Sequence, residues 1–204
     1  MKNWKFAIRL IGILITGFFL VKMSYQFKTS TFLFDFIIFS ILSILGFLLL
    51  TWSLITDIKQ FQKQKNISSL TPSILCIGFS ILIGIINYQI NKNFNKPTLI
   101  HIFYDGGFNG TGIDFKTDGT YIFDNSAIGA SDYLYGKYTI NGNIIKLDKN
   151  NLDDIVITDH LEIRPEESKH TNRNNTEYYV YQIDKNGTII KNSTDFKLVS
   201  DNRK

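Results

Sequence analysis

One cysteine, Cys76, is the whole thiol inventory of this 204-residue chain. It stands alone in an apolar run, so no intramolecular disulfide can form and no second thiol is present to share a metal or a redox step. Acids are scarce too, but only in one half. Residues 1–96 carry ten Lys or Arg and just two acids, Asp35 and Asp57, whereas residues 97–204 carry twelve basic and sixteen acidic residues. The formal +4 is therefore +8 set against −4. A membrane-embedded front half and a mildly acidic soluble back half produce this split, and it excludes nucleic acid as the reason for the basic balance. Residues 97–204 suffice for one small domain with its own core, not for two.

Charge is nearly missing from three stretches of the front half, each close to the ~20 apolar residues that carry a helix, at ~1.5 Å per residue, through ~30 Å of hydrocarbon. The first covers about 4–23, with Arg9 a turn and a half inside it and Lys22 closing it, both placed to snorkel toward headgroups. The second covers about 33–56. Its Phe36–Ile55 stretch is uncharged, Trp52 serves as an interfacial anchor, and Asp57 follows just past the end. The third, about 70–90, opens on Thr71-Pro72, a hydroxyl cap followed by a proline suited to a first helical turn, and has Tyr88 near its exit. A signal-peptide cleavage site needs small residues at alternate positions; residues 21–26, VKMSYQ, offer none, which predicts a retained first helix. No Asp, Glu, Lys or His falls in the middle of a span, which argues against a pump or proton-coupled transporter. Gly12, Gly17, Gly46, Gly78 and Gly84 do not pair at the four-residue spacing of a small-residue helix interface, predicting loose packing. The tail and the loop after the second span hold Lys2, Lys5, Arg9, Lys59, Lys63 and Lys65, against Lys22, Lys28, Lys92 and Lys96 on the other side. That balance predicts a cytoplasmic N-terminus and, after three crossings, a back half outside.

Residues 87–97, NYQINKNFNKP, form a polar linker that ends the helical signal, placing the boundary at 96/97. Beyond it come short β-branched and aromatic runs punctuated by turns. Asp118-Gly119, Asn141-Gly142 and Asn186-Gly187 each tolerate the positive φ of a tight hairpin. About nine antiparallel strands are predicted in one meander, including Asp154–Thr158 and Thr188–Lys191, with Leu134, Gly136, Tyr138 and Ile140 on one face and Tyr133, Tyr135, Lys137 and Thr139 on the other. Residues 165–176 hold no apolar side chain and read as an exposed loop.

The runs GIDFKTDGTYIF, SDYLYGKYTINGNIIKLDK and YYVYQIDKNGTII, with Gly136 and Tyr138 as a Gly-x-Tyr pair, resemble the C-terminal domain of small bacterial multi-pass membrane proteins, a domain similar to lipocalin-like antiparallel β folds. The likeness spans about residues 100–200. It implies a small barrel or sandwich and a location in the bacterial inner membrane, and it carries no activity. Lipocalins proper have a tryptophan in their first strand, whereas both tryptophans here, Trp4 and Trp52, lie in the front half.

Catalytic signals are as sparse as thiols. The glycine cluster Asp105–Gly112 leads into a strand, not a helix, and lacks a Gly-Lys-Ser/Thr ending, so it reads as a hairpin loop. His101, His160 and His170 are the only histidines. His160 shares a strand face with Glu162, yet no HxH, HxxxH or HExxH spacing occurs, so no metal site is expected. Ser131 sits in no nucleophile elbow. Asn109, Asn174, Asn186 and Asn192 begin Asn-x-Ser/Thr triplets of the kind an Asn-rich chain produces by chance. Tyr133, Tyr135, Tyr178, Tyr179 and Tyr181 suit a contact surface, with Tyr133 and Tyr135 the binding candidates.

The expectation is thus a membrane α plus soluble β protein: a three-helix membrane region over residues 1–96 and an external antiparallel β domain over 97–204. The bilayer is one partner, and a protein or small ligand of the β domain the other. No catalytic residue, cofactor or nucleic acid is expected. The competing reading is a membrane-tethered enzyme built from scattered β-domain histidines and carboxylates.

Overall fold

The computed structural model describes residues 3–167 and 176–203, and the chain divides into two units, residues 1–93 and 94–204. His170, Asn174 and most of the polar run 165–176 fall outside the described residues.

The first unit contains α1 (Asn3–Gln26), a three-residue strand β1 (Ser30–Phe32), α2 (Leu33–Gln64), a 3₁₀ turn over Ile67–Leu70, and most of α3 (Thr71–Phe94). All three helices are long and apolar enough to cross a membrane. They also expose large side chains, among them Phe18 at 60%, Ile44 at 63% and Phe47 at 67%. In water such surfaces would drive aggregation; in hydrocarbon they are at rest. At 32 residues and ~1.5 Å per residue, α2 is about 48 Å long. It continues past the predicted end near residue 56, so Asp57 lies inside the helix and is buried. Packing is close where a glycine leaves room: a Cβ on Gly17 would stand 2.4 Å from the Phe79 ring. This differs from the loose packing expected from the missing GxxxG spacing: the approach at Gly17 is that of a side chain onto a backbone, which needs one glycine and no paired small residues.

The second unit is a closed barrel of eight antiparallel strands, β2 (Thr98–Asp105), β3 (Asn109–Lys116), β4 (Thr120–Ala127), β5 (Ala130–Asn141), β6 (Ile144–Leu147), β7 (His160–Glu167), β8 (Thr176–Ile183) and β9 (Phe196–Asp201). Each strand pairs with its neighbour in sequence, and β9 returns to β2. Closure joins the last strand of the meander to the first, so the sheet curls into a barrel instead of ending in two free edge strands. Alternation places Ile113 and Phe115 opposite Phe123 and Tyr121, and Tyr138 and Ile140 opposite Leu147 and Ile145, all inward. Fifteen buried side chains form one cluster inside the barrel, whose eight strands give an interior about wide enough for side chains to fill.

The strand count is eight, not nine. Asp154–Thr158 is part of a tight loop in which Asp153 and Asp154 both take φ of 54°, and only Leu152 and Val156 bridge. Thr188–Lys191 keeps a single bridge, Ile183 to Ile189. β-branched residues suggested strands at both places, but both segments are loops, and the first turns its apolar side chains into the core. Leu152 and Val156 are fully buried. Gln182, also fully buried, accepts from the Ile157 N–H (2.8 Å) and donates to the carbonyls of Ile155 (2.8 Å) and Thr194 (3.0 Å), tying both loops to β8.

Candidate functional site

Two places combine polar chemistry with burial. The first lies in the helical unit, near the start of α1 and the last turns of α2. The Arg9 Nη1 donates to Asp57 Oδ1 at 2.7 Å, with the two side chains 2% and 0% exposed. The second oxygen, Oδ2, accepts from the Ser73 N–H at 3.1 Å and its hydroxyl at 2.7 Å. The guanidinium also lies over the Trp52 ring, 5.8 Å from its centroid. Asp57 therefore links all three helices and places a negative charge on the first turn of α3, where the helix dipole favours it. This corrects two expectations. Arg9 does not snorkel but is paired, because a buried charge without a partner costs more than the ordering of two side chains. Thr71 is not the cap of α3, since its hydroxyl donates to the Ser68 carbonyl and Asp57 does the capping. One signal was there to be read: Asp57 is one of only two acids in residues 1–96, just past the end of the second apolar run, and Arg9, the one arginine of those residues, lies just inside the start of the first. Beside the pair, a groove of about 600 Å³ is lined by Trp4, Lys5, Arg9, Trp52 and Gln60, among others.

The second place is the outer wall of the barrel on β2–β5. His101 sits on β2 opposite Asp114 and Ser200, and its charge acts on Asp124 of β4. Burial raises the Asp124 pKa, opposed by the Ser126 hydroxyl, which donates to the carboxylate at 2.5 Å, and by His101. Ser126 and Ser131 lie 2.8 Å apart, oxygen to oxygen. The neighbouring Tyr133 and Tyr135 both receive the ring of Phe94 edge-on, at centroid distances of 5.1 and 6.4 Å. Burial pushes the Tyr135 hydroxyl up to about 12, with Tyr133 and Asp124 adding to it. The two binding candidates thus serve, at least in part, as the seat of the segment that leads into the barrel. The same segment covers Lys116, 2% exposed, whose ammonium donates to the Phe94 carbonyl at 2.9 Å and Asp114 at 2.5 Å.

The remaining candidates are dispersed. His160 Nδ1 lies 2.7 Å from Asp159, and Glu162 accepts from Arg164 at 2.6 Å, so the two residues expected to share a strand face each have another partner. Among the described residues, no group of three His, Cys, Asp or Glu side chains could hold a metal ion. Cys76 is buried, its thiol 3.9 Å from the Gly46 carbonyl. Tyr178 is 46% exposed. The barrel's most exposed large apolar side chains are two the sequence did not single out, Phe108 at 81% and Ile128 at 77%. Phe108 is in the β2–β3 turn and Ile128 in the β4–β5 turn, and the adjoining residues Asn109 and Ala127 pair directly, so the two tips are neighbours. They lie at the end of the barrel opposite the one where the chain enters β2.

Fold and sites together define a class: a chain of three long apolar helices followed by a closed eight-stranded antiparallel barrel. Comparison with known proteins gives that class no family, since no family model, curated protein or solved structure matches the chain.

Proposed function

We propose that this chain is a membrane-anchored binding module of the bacterial inner membrane. Three spans hold the barrel outside, the N-terminus and the connection between α2 and α3 lie on the cytoplasmic side, and the barrel meets a protein or small ligand by non-covalent contact in an envelope-sensing or immunity-type role. The observation that carries this reading is the cluster of fifteen buried, mostly aliphatic and aromatic side chains inside the barrel: an interior packed as a core favours recognition on the outer surface. The resemblance to lipocalin-like domains supports the meander and, given that packing, not a calyx. Phe108 and Ile128 are the natural contact points, because apolar side chains this exposed at adjacent tips gain most from being covered.

A photo-crosslinking residue at position 108 or 128 of the protein in its native membrane should yield a discrete adduct that the same residue at exposed Lys137 does not. Adducts of equal yield at all three positions would count against the tips. Alkaline phosphatase fused after Lys204 should be active; an inactive fusion beside an active cytoplasmic reporter would reverse the orientation.

The enzyme reading has one observation in its favour, the raised Asp124 carboxyl next to His101 and two serine hydroxyls. Turnover abolished by His101→Ala, or metal-dependent turnover abolished by His160→Ala, would replace binding with catalysis.

A further inference from the structure

The groove beside the Arg9–Asp57 pair carries charge that the protein does not use. Asp57 spends one oxygen on Arg9 and the other on Ser73. Among the described residues, the guanidinium makes no hydrogen bond besides the one to Asp57, although it is 2% exposed and lines the groove. Lys5 lines the same groove. Two cations thus face one acid, a local balance of +1, and the only other acid of residues 1–96, Asp35, sits in the first turn of α2, at that helix's far end. The walls include the indoles of Trp4 and Trp52, 55% and 48% exposed, which is the side chain that settles at the headgroup level of a bilayer.

We infer that this groove binds the phosphate of an anionic phospholipid from the leaflet around the start of α1. Arg9 supplies directed N–H donors from a guanidinium already fixed by Asp57 and Trp52, Lys5 adds a mobile ammonium, and the indoles and Phe6 lie along the glycerol and upper acyl chain. Pre-positioning is the essential point: an arginine that is buried and held loses little freedom on binding, whereas a free surface lysine gives only diffuse attraction. The inference rests on the helices being spans. It is independent of what the barrel binds.

Trp4 and Trp52 are the only tryptophans of the chain, so their fluorescence reports on the groove directly. The full chain, reconstituted in phosphatidylcholine vesicles, is titrated with phosphatidylglycerol or phosphatidylcholine brominated high on the acyl chain, in the presence and absence of inorganic phosphate. Brominated phosphatidylglycerol should quench at a mole fraction lower by at least about fivefold, the factor one near-surface cation supplies. Lys5→Gln should reduce that preference, and the paired change Arg9→Leu with Asp57→Leu, which removes both charges together, should abolish it. Lys5→Gln alters an exposed side chain and keeps the test valid even if the paired variant does not fold. Equal quenching by the two lipids, or a preference that survives Lys5→Gln unchanged, overturns the inference. Loss of the preference in millimolar inorganic phosphate would assign the site to free phosphate and overturn it equally.

Discussion

At Gly136 of β5 a side chain has nowhere to go: a Cβ there would stand 2.4 Å from both the Asp148 carboxylate and the Tyr121 hydroxyl, which are themselves 3.2 Å apart. Gly136→Ala should therefore cost on the order of 1–3 kcal/mol through overpacking, read as a lower melting temperature of residues 94–204. Gly142 differs. Nothing lies within 4 Å of its would-be Cβ, but its φ is +60°, so Gly142→Val should cost about 1–2 kcal/mol for the left-handed backbone alone. Asp124 supplies a test in pH. Its folded pKa is raised by burial, so the folded barrel binds this proton more tightly than the unfolded chain does. The associated stability is present below the unfolded value near 3.8 and is lost as pH rises through the folded one. Asp124→Asn is expected to raise the melting temperature at pH 7, and the gain should shrink toward pH 3. A constant gain across that range would show that the carboxyl's charge is not the cause.

Among the elements, α3 depends most on a residue outside itself. Its first-turn Ser73 is held by Asp57, and Asp57 by Arg9. Removing one member of a buried ion pair leaves the other uncompensated, typically at a cost of 3–5 kcal/mol, roughly, whereas apolar replacement of both is close to neutral. Asp57→Leu should accordingly lower the temperature at which the detergent-solubilised protein aggregates, and Arg9→Leu in the same chain should restore most of the loss. Two separate, additive losses would mean that the pair does not act as a unit.

For the molecule as a whole, the division into two units, each with its own packing, predicts that the barrel folds without the helices. Residues 94–204 alone should give a β-type far-ultraviolet circular dichroism spectrum and a cooperative melt. A fragment starting at Thr98 should be less stable by about 1–2 kcal/mol, since it lacks the half-buried Phe94 ring on Tyr133 and Tyr135 and the carbonyl that accepts from Lys116. Equal melting temperatures would show that this segment is not part of the folding unit.

Residue order alone determined what depends on local chemistry: three apolar runs of spanning length, hairpins at Asp118-Gly119 and Asn141-Gly142, and the inward set Leu134, Tyr138 and Ile140. Each follows from a period or a turn preference that operates over a few residues. Tertiary structure decided what depends on distance along the chain. Arg9 meets Asp57 across 48 positions, and no local pattern encodes that pairing. Asp154–Thr158 has the composition of a strand, yet Asp153 and Asp154 turn the chain so that Leu152 and Val156 enter the core. Tyr133 and Tyr135 alternate outward as expected, and whether an outward ring meets solvent or Phe94 is a matter of what the chain lays over it. Closure of β9 onto β2 is the furthest such case. The alternating pattern gives every strand an inner and an outer face, but only the three-dimensional fit of the packed interior makes eight strands, and not nine, the number that closes.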